Sequence, residues 1–129
     1  MADPLSQLAN LTALQLDRAM AELSVTAAKV KALEHQIANL RTRLSQLPGL
    51  DAETGLNPAL SSGHFDQWQK QARTRLSQLN IQLAQARAAH EERMADTRLA
   101  FGRNAALEAI QAKRAADARD MRRRRLEHQ

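Results

Sequence analysis

The chain contains no cysteine and no tyrosine, and its aromatic residues are limited to Phe65, Trp68 and Phe101. Without cysteine there can be no disulfide scaffold, thiolate zinc site or cysteine nucleophile, and a reducing cytoplasm is the compartment that fits. With so few aromatic rings a thick globular core is not expected, because the large side chains that fill such cores are missing. No uninterrupted apolar stretch approaches the roughly 18 residues that a bilayer span needs. The amino terminus, Met1-Ala2-Asp3-Pro4, lacks the basic-then-apolar order of a secretory signal. The expectation is a protein that is neither secreted by the general route nor embedded in a membrane.

Recognisable catalytic and cofactor motifs are absent as well. The four histidines, His35, His64, His90 and His128, are too far apart for a local metal motif, and none pairs with a carboxylate at the spacing of a metalloprotease helix. The glycines, Gly49, Gly55, Gly63 and Gly102, include no phosphate loop, since none leads into a lysine followed by serine or threonine. Glu91-Glu92 is read as a solvated face. No enzyme activity, cofactor, metal or small-molecule substrate is expected.

What is abundant is alanine, leucine, glutamine and arginine, the usage of long helices packed along a narrow seam. Asp3-Pro4 is a helix start, because the carboxylate can accept from free first-turn amides and proline loses nothing at the first helical position. From Leu16 the residues Ala19, Leu23, Thr26, Val30, Leu33, Ile37, Leu40, Leu44 and Leu47 follow at alternating steps of three and four. This heptad seam is bordered by Lys29, Lys31, Glu34, Gln36, Arg41 and Arg43. So narrow a stripe seeks one partner helix. Pro48-Gly49 predicts its end, and Gly55, Asn57-Pro58 and Ser61-Ser62-Gly63 predict a loop over 48–63, read either as a linker or as a binding element.

A second helix is predicted from between Ser62 and Asp66, with a cap at Ser62 and negative charge at Asp66. Its seam reads Phe65, Trp68, Ala72, Leu76, Leu79, Leu83 and Ala86, with an extra four-residue step at Ala72–Leu76 that would unwind the supercoil locally. Beyond Ala86 the apolar residues turn ragged, through His90, Met94, Phe101, Leu107 and Ile110. With no proline to stop it the helix is predicted to reach about 126. Gly102 inside this stretch reads either as close packing against the first helix, which is preferred, or as a bend. The fold expected is therefore all-α: one domain, a monomeric antiparallel two-helix coiled-coil hairpin with helices over about 4–47 and 64–126, the second one longer. At about 1.5 Å per residue the two helices would measure roughly 65 and 90 Å, leaving residues from about 109 onward without a partner.

Charge concentrates on that projecting segment. Basic and acidic residues balance up to Thr97, whereas Arg98, Arg103, Lys113, Arg114, Arg119 and Arg122–Arg125 outnumber the acidic residues that follow Arg98. The run Arg122-Arg123-Arg124-Arg125 suits a helix carboxyl end through the macrodipole, and it also suits an acidic partner. Nucleic acid is the weaker candidate, because Asp117, Asp120 and Glu127 interrupt the patch, no aromatic residue is interleaved for base stacking, and no DNA-binding motif occurs. The candidate partner-binding residues are Arg114, Arg119, Arg122, Arg123, Arg124 and Arg125. At the opposite end Phe65 and Trp68, one turn apart and near Leu44 and Leu47, read either as a plug closing the hairpin or as an aromatic anchor for a partner.

A cysteine-free antiparallel hairpin with a longer second helix and an Arg/Ala/Glu-rich carboxyl segment, here Arg98 to Arg125, resembles the FliJ and YscO (SctO) proteins. These are the small central-stalk proteins of flagellar and injectisome type III export machines, and the resemblance spans nearly the whole chain. It implies that the end bearing the termini, Leu5 to Leu16 with Leu107 to Arg125, binds a hexameric export ATPase. It also implies that the tip, Leu40 to Trp68 and in particular Leu44, Leu47, Phe65 and Trp68, contacts the cytoplasmic domain of the export-gate membrane protein. The location implied is cytoplasmic, peripheral to the export apparatus at the inner membrane. The predicted loop is longer and richer in proline than the turn of that family. Two other classes are compatible with the same residues: a homo-oligomeric coiled-coil scaffold or adaptor, and a basic nucleic-acid-binding helical protein.

Overall fold

A computed structural model describes residues 3–54 and 63–128, except the side chains of 47–54. Two helices account for nearly all of it: α1, Pro4–Thr54, of 51 residues, and α2, His64–Glu127, of 64 residues. They pack against each other, no strand occurs among the described residues, and the architecture is an all-α hairpin with the second helix longer. No helix is long and apolar enough to cross a membrane among the described residues.

The start of α1 follows from its first residues. The Leu5 amide donates to the Asp3 carboxylate at 3.3 Å and the Gln7 amide to the Asp3 carbonyl at 3.1 Å, so Asp3 satisfies donors that the first turn cannot. The expected end at Leu47 is a correction: α1 continues through Pro48 and Gly49 to Thr54. Proline fits helical φ, and at position 48 it forfeits the bond that an amide would give to the carbonyl of residue 44. Leu50, Ala52 and Glu53 beyond it are good helix formers. The loop predicted over 48–63 is shortened accordingly, and residues 55–62 of it, including the predicted cap Ser62, lie outside the described residues. Gly63 precedes α2 with φ +82°, a left-handed value that glycine adopts without a Cβ penalty, and its carbonyl accepts the Gln67 amide at 3.1 Å. Asp66 stands in the first turn as expected.

Contacts divide the chain into two units, Val25–Glu91 and a second made of Met1–Ser24 with Glu92–Gln129. In the first, Leu33, Ile37, Leu79, Leu83 and Ala86 form a buried cluster with Val30, Leu40 and Leu76 packed against it. These are seam positions of both helices, and Leu79 is only 3% exposed. Ala72 is buried and Leu76 half-buried, so the extra four-residue step keeps both on the seam. Two cross-helix contacts show the antiparallel order: Thr26 Oγ1 with His90 Nδ1 at 3.0 Å, and Arg87 with Glu34 at 3.2 Å.

In the second unit the seam is extended at both helices beyond the apolar pattern. On α1 it includes Leu5, Ala9 and Thr12 before Leu16, all half-buried. On α2 it runs through Arg93, Thr97, Ala100, Asn104, Leu107 and Gln111 at steps of three and four. Phe101 and Ile110, expected on this seam, are a correction: both are exposed, Phe101 at 63%. A period of 3.5 residues carries the seam through Ala100 and Leu107 instead, one position before Phe101 and three before Ile110.

Candidate functional site

In the second unit polar groups join the apolar residues of the seam. The Thr12 hydroxyl lies within hydrogen-bond distance of Asn104 Oδ1, at 3.2 Å, and of the Ala9 carbonyl, at 3.0 Å, sharing its one hydrogen between them. One heptad further along α1 and one heptad earlier on α2, the Thr97 hydroxyl lies 3.3 Å from the Ala19 carbonyl and 2.7 Å from that of Arg93. Arg93 reaches Glu22 at 3.5 Å across the helices and Asp96 at 3.1 Å along its own. These pairings fix a register: stepping one heptad from Thr12–Asn104 brings Leu5 opposite Gln111.

Leu5–Gln111 is the last half-buried pair, because α1 begins at Pro4. From Ala112 to His128 every residue is exposed except Asp120, and the helix continues to Glu127, roughly 24 Å beyond Gln111. Arg114, Arg119, Arg122 and Arg125 stand on this segment with no ion pair among the described residues, whereas Arg123 and Arg124 meet Asp120 at 2.7 and 3.3 Å. Such i,i+3 and i,i+4 pairs on an exposed helix contribute only tenths of a kcal/mol, about 0.3–0.5 each, so they leave the charges available to a partner. The six arginines singled out in the sequence thus share one unpaired helical segment. What the sequence reading missed is that Asp120 holds two of them, and that Ala118 and Met121 fall at the heptad positions between Arg114 and Arg125. Counting heptads onward from Leu107 is the signal that finds these positions.

The other predicted residues lie in the unit Val25–Glu91. Phe65 and Trp68 are half-buried and stacked on each other, with ring centroids 6.4 Å apart and planes at 21°. Leu44 is half-buried, and the Leu47 side chain lies outside the described residues. Gly102 is a correction: a Cβ built there meets nothing within 4 Å, so no close approach of α1 requires glycine.

Comparison of the chain with family models, curated proteins and solved structures finds no match.

Proposed function

We propose that the protein is a non-catalytic stalk of a type III export apparatus, flagellar or injectisome, whose basic carboxyl segment binds the hexameric export ATPase. The observation that carries this reading is the run of α2 past Gln111, the last residue opposite α1, with Arg114, Arg119 and Arg122–Arg125 exposed on it. A helix that leaves its partner behind offers all faces to a surrounding surface, and a ring of subunits is such a surface. The concentration of positive charge on this segment supports an acidic one. The half-buried Phe65–Trp68 stack, with Leu44 and Leu47, is the proposed contact to the cytoplasmic domain of the export gate, at the inner membrane.

The test is binding to the flagellar and injectisome export ATPase hexamers, each titrated at low and moderate salt. Changing Arg122–Arg125 to serine should weaken binding and flatten its salt dependence. Helicity and melting should stay within about 0.5 kcal/mol of the parent, as for most surface changes. Phe65→Ala with Trp68→Ala should spare ATPase binding. Wild-type affinity of the arginine variant at both salts would defeat the assignment of this end.

A further inference from the structure

The unpaired segment of α2 is not uniform around its axis. Continuing the seam at steps of three and four beyond Gln111 gives Arg114, Ala118, Met121 and Arg125. This stripe has lost the α1 residues that cover its earlier positions, since Leu5 opposite Gln111 is the last of them. It combines a small residue and a flexible apolar one, Met121 at 56% exposure, with two guanidinium groups that form no ion pair among the described residues. Lys113, Arg119, Asp120 and Arg123 lie off the stripe, and there Asp120 already engages Arg123 and Arg124.

We infer that an acidic helix of a partner protein docks on the stripe Arg114–Ala118–Met121–Arg125, taking the place that α1 leaves empty beside α2. Continuity sets the geometry. A helix lying where α1 would have continued finds the spacing of the existing seam, alanine to admit close approach, and methionine to adapt to its side chains. Charge sets the chemistry. The arginine stems cover apolar surface while their heads reach carboxylates at the flanks of the incoming helix. A second copy of this segment is the wrong occupant, because it would set Arg114 and Arg125 against their own counterparts. The inference rests on the stalk reading where the partner is the export ATPase, and it names the face and the chemistry of that contact.

The experiment compares two charge-matched double variants of the full chain: Arg114→Glu with Arg125→Glu on the stripe, and Lys113→Glu with Arg119→Glu off it. Each is titrated against the export ATPase and, separately, against a synthetic three-heptad helix with leucine at its core positions and glutamate at the flanking ones. The stripe variant should lose at least about tenfold in affinity for both probes, while the other loses less than about threefold. With the synthetic helix, amide chemical-shift changes should centre on Ala118 and Met121. If the ATPase fails to bind the parent chain, the stalk reading fails and the synthetic helix decides the docking face alone. Equal loss in the two variants, the behaviour expected of any polyanion that reads net charge, overturns the inference even where the ATPase binds. Failure of the synthetic helix to bind the parent chain overturns it as well.

Discussion

Between Val25 and Glu91 the buried seam is leucine, isoleucine and alanine, with Thr26–His90 and Arg87–Glu34 as polar contacts, whereas in the unit of residues 1–24 and 92–129 Leu5, Leu16, Ala19 and Leu23 share the seam with Thr12, Arg93, Thr97, Asn104 and Gln111. Only Ala100 and Leu107 are buried in the second unit among the described residues, and most of the exposed large apolar side chains, including Leu8, Leu11, Phe101 and Ile110, belong to it as well. One heptad geometry thus serves two purposes. Apolar burial supplies most of the free energy that holds a helix pair, while cross-helix hydrogen bonds contribute about 0.5–1.5 kcal/mol each and specify register. Val25–Glu91 accordingly carries the stability, and the polar unit aligns α2 so that its basic end emerges beyond Pro4.

The largest effect that sharpens this contrast is Leu79→Ala, expected to cost about 2–3 kcal/mol in a denaturant titration, because Leu79 is the most buried seam residue. Leu16→Ala, at a half-buried position of the polar unit, should cost about half as much. Equal costs would erase the distinction. Next in size, Thr12→Leu together with Asn104→Leu removes both partners of a cross-helix bond and offers apolar contact instead. It should stabilise the chain by about 1 kcal/mol, since no polar group is left stranded. A destabilised double variant would mean that the bond outweighs burial there. Smaller still, Gly102→Ala should raise stability by slightly under about 1 kcal/mol, because helix propensity improves and a Cβ has open space. A drop in melting temperature would restore the close-packing reading.

The hairpin, its antiparallel order and the seam from Leu16 to Leu44 were legible in the sequence because apolar residues repeat there at heptad spacing, with Thr26 the one polar member. Beyond Ala86 the same logic held only in part: His90 and Leu107 lie on the seam as read, but Arg93, Thr97 and Asn104 fill the positions between, and an apolarity count drifts to Phe101 and Ile110, which face solvent. Pro48 misled in the opposite sense: its missing amide argues for a helix end, yet its φ is helical, and α1 passes through it. The basic segment was legible from charge alone. Its division into a stripe with Met121 and an outer face with Asp120 was not, since that division depends on where α1 starts and on which arginines Asp120 can reach.

The central claim is that the segment after Gln111 lies outside the stable hairpin and carries the binding. Truncating the chain after Gln111 tests both halves together, by melting monitored with circular dichroism and by titration against the export ATPase hexamer. The account predicts an unfolding free energy within about 1 kcal/mol of the parent together with loss of ATPase binding. A truncated chain that melted far below the parent, or that bound the ATPase as the parent does, would contradict it.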